Sequence, residues 1–217
     1  MGACSSERRE RRKSDLKMSR KKIINQIWAQ ILPDYQVKKT GVYKVVDDHA
    51  MLGVEVETSD FTPSTFYIWS YWIPLCAPLK SVYFNLGFRV RGPDGERWAI
   101  KSPDELARAL GHLRPLLIQQ SILLQNQDYR IESAEKQAVE YDCLHAYQTW
   151  AYTLAWYRRM PDLRRVISAI GQRVYVKPWQ NEIASNIVAI DSLTHDAAEL
   201  EAALLKNVSD SRQVLAV

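Results

Sequence analysis

The spacing of apolar residues changes twice along this 217-residue chain, and each change predicts a different kind of element. Ile23, Ile24, Ile27, Trp28, Ile31 and Leu32 recur every three or four positions, which stacks them on one helical face. Pro33-Asp34 closes that helix. From Gly41 the period falls to two. Gly41 to Val46 predicts a short strand, Asp47-Asp48 a turn, and residues 51–57 a half-exposed strand with Leu52, Val54 and Val56 opposite Glu55 and Glu57. Residues 65–73 (TFYIWSYWI) are apolar at nearly every position, as in a central strand covered on both sides. Residues 82–91 alternate again, with Val82, Phe84, Leu86, Phe88 and Val90 inward and Asn85, Arg89 and Arg91 outward. Gly92-Pro93-Asp94-Gly95 supplies a turn, and residues 96–100 close a hairpin.

After residue 101 the pattern is helical. Ser102-Pro103-Asp104-Glu105 places a capping hydroxyl, a first-turn proline and a carboxylate three residues after the cap. Leu106, Leu110, Leu113 and Leu117 continue that face, and Pro115 predicts a kink or break. One long helix is expected over 132–159, with Val139, Cys143, Ala146, Trp150, Thr153 and Tyr157 as its stripe. Pro161-Asp162 and Pro178 open two more helices, and a last one covers 195–208. The expected fold is α+β: an antiparallel sheet of four or five strands with flanking helices, followed by an all-helical C-terminal part. The corresponding divisions are a disordered basic tail (1–14), a helix plus antiparallel sheet (15–101) and a helical bundle packed on the sheet (102–217), with no internal repeat.

Charge sharpens this picture once it is located. The net charge is +4, but residues 1–22 carry nine basic and three acidic groups, leaving 20 basic and 22 acidic in residues 23–217. The folded body is therefore slightly acidic, and only the tail offers a polyanion-binding signal. Cys4, Cys76 and Cys143 are odd in number and unpatterned, which reads as free thiols in a reducing cytoplasm. The longest apolar stretch, Phe66 to Pro78, is too short for a bilayer span and is interrupted by Pro74. A soluble cytoplasmic protein is expected, membrane-associated only through its N-terminus.

That N-terminus, Met1-Gly2-Ala3-Cys4-Ser5-Ser6, fits the pattern for myristoylation of Gly2, with Cys4 placed for a second acyl chain and arginines following. Met18 offers a second translation start that would remove the whole tail. His49, His112, His145 and His195 are scattered and no C-x-x-C is present, so neither a metal site nor a cofactor is expected. The absence of glycine-rich phosphate loops argues against the common modes of nucleotide binding. Asp142, Cys143 and His145 are sequence neighbours, but on one helix they would point apart, and Cys143 reads as a buried thiol. Glu55 with Glu57, and Arg89 with Arg91, share strand faces that by default meet water. Tyr67, Trp69 and Tyr71 are core if both sheet faces are packed, and a binding platform if one face is open.

The segment Phe66-Tyr67-Ile68-Trp69 … Pro74-Leu75 … Pro78, followed by Val82 to Val90 with its Gly87-Phe88-Arg89, resembles uncharacterised bacterial α+β proteins of domain-of-unknown-function type, in which a strand ending Pro-Leu precedes one ending Gly-x-Arg. The likeness covers about 30 residues and implies a bacterial cytoplasmic setting and kinship with immunity or defence accessory factors. It supplies no catalytic residues. The expectation is a non-enzymatic protein-binding module with an unidentified protein partner. Two alternatives stand beside it: a membrane-surface adaptor tethered through Gly2 and Cys4, and an enzyme whose site, around His145, Asp142 and Glu182, assembles only in three dimensions.

Overall fold

The computed structural model describes residues 19–60, 62, 64–79 and 86–217. Gly2, Cys4 and the tail expected over 1–14 lie outside the described residues, as do Val82, Phe84 and Asn85. The element order is α1 (Arg20–Gln30), β1 (Gln36–Val37), β2 (Gly41–Val46), β3 (Ala50–Thr58), β4 (Thr65–Pro74), β5 (Gly87–Arg89) and β6 (Trp98–Ala99), then α2 (Pro103–Gln125), α3 (Gln127–Tyr141), α4 (Leu144–Trp156), α5 (Met160–Gly171), α6 (Pro178–Leu193) and α7 (Ala197–Leu215). The strands form an open antiparallel sheet in the order β1-β2-β3-β4-β5, with β6 pairing the start of β4 through Thr65↔Ala99 and Phe66↔Trp98. The expected α+β fold, sheet first and helices after, is the observed one.

By internal packing the chain falls into two units, and β2, β3 and β4 contribute residues to both. The first takes the chain up to Lys44, Gly53–Ser70 and Phe88–Ile122. Its helix α1 starts where the Ser19 hydroxyl accepts from the Lys22 amide at 3.3 Å, and it buries Ile23, Ile24 and Ile27. Trp28, expected on the same face, is 40% exposed. Helix α2 starts as its sequence predicts: the Ser102 hydroxyl accepts from the Glu105 amide at 3.2 Å, and the Glu105 carboxylate accepts from the Lys101 amide at 2.5 Å. Such a cap contributes about 1 kcal/mol. Pro115 does not break α2. It lies on the exposed face, as does Gly111 one turn earlier, so the carbonyl that proline leaves unbonded can face water. Gly41 is required in β2, because a Cβ there would sit 2.1 Å from the Val54 carbonyl oxygen.

The second unit takes Val45–Leu52, Tyr71–Gly87 and Leu123–Val217. The single helix expected over 132–159 is two helices. Asp142 adopts a left-handed conformation (φ 49°) after α3, and Cys143 is extended at the cap of α4. The expected stripe holds only in part: Ala146, Trp150 and Thr153 are buried in α4, but Val139 is 60% exposed, and α3 buries Arg130, Ile131, Ala134 and Ala138 instead. Helix α4 is buried at Leu144 and at every position from Ala146 to Ala155, and it packs against α3, α5, α6 and α7. Helix α7 is capped by the Asp196 carboxylate, which accepts from Ala198 and Glu199, and it runs to Leu215 rather than stopping near 208. It is stapled to the segment after β4: Asn207 Nδ2 donates to the Cys76 carbonyl at 3.0 Å and the Ser211 hydroxyl to that of Ala77 at 2.9 Å.

Candidate functional sites

In the first unit, one face of the sheet is the more exposed one among the described residues. Along β4 the burial alternates from Phe66 to Ile68, with Tyr67 and Trp69 half-buried on the exposed side, whereas Ser70 to Pro74 are all buried. The prediction of a strand covered on both faces therefore holds only for the second half, and Tyr71 belongs to the core. Arg89 of β5 spans the two exposed rings, its guanidinium carbon 4.2 Å from the Tyr67 centroid and 4.8 Å from that of Trp69. The polar end of each ring is also held. Trp69 Nε1 donates to Glu57 at 3.0 Å, and Arg97 Nε donates to the Tyr67 hydroxyl at 3.0 Å. Arg89 and Arg91 share Glu96 at 3.2 and 3.6 Å. Each cation–π contact contributes about 0.5–1 kcal/mol at such exposure, and the ion pairs less. The chemical outcome is a rigid Tyr–Arg–Trp surface with its charges arranged around it. Phe88, expected inward, is 38% exposed on the neighbouring strand.

Among the polar sites of the second unit, two hold residues that bear on the sequence reading. The first is a cluster around buried Arg130 at the exposed Asp47-Asp48 turn, where both aspartates have positive φ (49° and 58°), a conformation Asp tolerates better than most residues. Arg130, fully buried, donates to the Asp47 carboxylate, to the Leu124 carbonyl at 2.7 Å and to the Tyr157 hydroxyl at 2.5 Å; that hydroxyl donates to Asp47 at 3.2 Å. Burial pushes the Tyr157 hydroxyl up to about 12 despite the nearby guanidinium. His49 stacks on Trp156 at 4.4 Å, and its Nδ1 lies 2.6 Å from the Asp47 carbonyl. These hydrogen bonds order the turn.

The second polar site is a cleft of about 410 Å³. Helix α4 contributes His145 and Gln148, α6 contributes Trp179, Glu182 and Asn186, and α7 contributes Asn207 and Asp210. Pro78, Leu79 and Ile183 complete the wall. The His145 ring lies parallel to Trp179 (5.4 Å, 5°), and burial lowers the imidazole below its ordinary value. Asp210 pairs with Lys206 at 2.6 Å. This size is within the range of small-molecule sites.

The cleft unites two of the three residues weighed for a site assembled in space, His145 and Glu182, but not the third. Asp142 pairs with Arg173, whose guanidinium also donates to Tyr147 at 3.1 Å. Cys143 is half-buried at the α4 cap, and Cys76 is fully buried with its thiol pushed up by desolvation. Glu55 is half-buried and Glu57 engages Trp69. His112 and His195 lie exposed, apart from the cluster and the cleft. Among the described residues no three His, Cys, Asp or Glu side chains are disposed to hold a metal. Sequence reading missed Gln148, Trp179, Asn186, Asn207 and Asp210, which share no local spacing that could have joined them. Comparison with family models, with characterised proteins and with solved structures finds no match, so the geometry alone carries the functional reading.

Proposed function

We propose that this protein is a non-enzymatic, protein-binding accessory module whose contact surface is the more exposed sheet face of the first unit. The observation that carries the reading is Arg89 held across Tyr67 and Trp69, with the outer ends of both rings tied down. Trp, Tyr and Arg dominate the energetics of protein interfaces, and side chains already fixed lose little entropy on binding. Glu57, Arg91 and Glu96 around the rings supply a mixed-charge rim that favours a folded protein partner over nucleic acid. An immunity or defence role in a bacterial cytoplasm follows only from the resemblance around residues 66–90.

The test is purification from the native host of the wild-type chain and of a Trp69→Ala/Arg89→Ala variant. The reading requires a stoichiometric protein that the wild type retains and the folded variant loses. A partner held equally by both, or a lone wild-type chain, overturns it. Catalysis is the competing reading, favoured by the meeting of His145 and Glu182 in one cleft, and turnover abolished by His145→Ala would establish it. The membrane-adaptor alternative rests on Gly2 and Cys4; intact mass of host-derived protein decides it, an unmodified Gly2 ending the idea. Among the described residues no helix is long and apolar enough to cross a membrane.

A further inference from the structure

We propose that the groove continuing this sheet face between β6 and α2 takes an acidic peptide segment of the protein partner. This rests on the protein-binding reading above and names the chemistry of that partner. The groove measures about 660 Å³. Thr65 and Ala99, opposite each other where β4 pairs β6, line it beside Arg97. Side chains two apart on a strand share a face, so Thr65 belongs with Tyr67 and Trp69. Arg97 joins the two regions directly: its Nε donates to the Tyr67 hydroxyl at 3.0 Å while the same side chain lines the groove. Helix α2 contributes Glu105, Arg108 and His112, which share one face at spacings of three and four. The walls are held in place. Trp98 Nε1 donates to the Val90 carbonyl at 2.8 Å, the Ile100 amide to that of Ser64 at 2.9 Å, and the Ser102 hydroxyl caps α2.

Charge selects the occupant. The carboxylates around this surface are mostly engaged: Glu96 holds Arg89 and Arg91, Glu57 accepts from Trp69, and Glu105 accepts from the Lys101 amide at 2.5 Å. Arg97 and Arg108 both line the groove, and neither forms an ion pair among the described residues. Phe61, Pro63 and residues 80–85, outside the described residues, carry no carboxylate, and residues 1–18 hold six basic groups to three acidic ones. Each guanidinium presents a fork of N–H donors matched to a carboxylate. Asp94, the other carboxylate of the groove, decides between a peptide and a phosphate. A compact multivalent phosphate would meet both Asp94 and Glu105. An extended peptide spaces its single charges and offers amide N–H groups that Asp94 can accept.

Fluorescence anisotropy of the full chain at physiological salt tests the proposal, using a fluorescein-labelled nonapeptide of alternating glutamate and leucine. Glutamine–leucine and lysine–leucine peptides of the same length and a single-stranded oligothymidylate are the parallel arms. The acidic peptide is expected to bind with a dissociation constant on the order of 0.1 mM, and the glutamine peptide at least about tenfold more weakly, having lost its charge-assisted hydrogen bonds. Arg108→Gln, at an exposed helix position, should weaken the acidic peptide about tenfold and leave the melting temperature and the glutamine peptide unchanged. Arg97→Gln should act in the same direction and serves as the second variant. Equal binding of the acidic and glutamine peptides overturns the proposal, as does tighter binding of the lysine peptide. So does affinity unchanged in folded Arg108→Gln, which assigns the binding to the basic residues 1–22. An oligothymidylate that loses more affinity than the peptide in Arg108→Gln overturns it in favour of nucleic acid. The host partner separates the two readings. A chain captured by the wild type and by Arg108→Gln, but lost by Trp69→Ala/Arg89→Ala, refutes the acidic segment alone. Acidic-peptide binding without any captured chain refutes the sheet-face reading while the preference of the groove stands.

Discussion

Acidification should destabilise the second unit through one histidine. His49 is fully buried between the Trp156 ring and the edge of Tyr157, with Nδ1 2.6 Å from the Asp47 carbonyl. That contact requires Nδ1 to carry the proton and donate it, while Nε2 has no partner. Burial is the main reason its pKa drops from 6.5 to about 4; the Arg130 guanidinium adds to the drop, and the hydrogen bond to the Asp47 backbone with the charges of Asp47 and Asp48 opposes it. The folded pKa is thus depressed relative to the unfolded chain. Stability from this group is complete above pH 6.5 and is lost as the pH falls toward 4, because the unfolded chain takes up the proton first. Linkage over that window gives a loss of about 2 kcal/mol between pH 7 and pH 5, rising to about 3 kcal/mol by pH 4. Urea unfolding at pH 7, 6 and 5 measures it, with His49→Phe as the reference that keeps the ring and removes the proton. The variant should be less stable at pH 7 by about 1 kcal/mol for the lost hydrogen bond, and more stable than the wild type at pH 5. Parallel pH profiles for the two proteins would refute the reasoning, since carboxylate titrations are common to both.

Other perturbations test the same physical picture. Asp47→Asn keeps a residue that tolerates positive φ but removes the charge facing buried Arg130, and should cost about 2–3 kcal/mol by urea denaturation. Thr153→Val removes a fully buried hydroxyl that has no hydrogen-bond partner and should be neutral or stabilising by up to about 1 kcal/mol in the same assay. Gly41→Ala forces a Cβ against the Val54 carbonyl and should cost at least about 2 kcal/mol, seen as a lowered melting temperature. Ser102→Ala removes the α2 cap and should cost about 1 kcal/mol.

Much of the fold was legible because local chemistry and tertiary demand agreed. Glu55 and Glu57 alternating with Val54 and Val56 marked only the exposed end of β3, whose residues from Ala50 to Val54 are all buried, whereas Ser102 with Glu105 marked the start of α2 to the residue. Where reading failed, one force acted against the local signal. The α3–α4 break carries neither glycine nor proline; Asp142 accepts a left-handed conformation instead, and the apolar spacing on either side simulates one continuous face. Pro115 is the reverse case, a strong breaker made harmless by its exposed position. The aromatic run was ambiguous because a period-two strand does not reveal which of its faces is covered, and β4 changes from one state to the other near Ser70. The cleft was invisible for a different reason: Gln148, Trp179 and Asn207 meet only through the packing of three helices.

The enclosure of α4 on every side also sets the order in which the second unit opens. Its amides lie deepest, with neighbours on four helices, so they can reach solvent only when the whole bundle separates. Their hydrogen exchange rates therefore report the free energy of complete unfolding, whereas the outer turns of α7 exchange through local fraying.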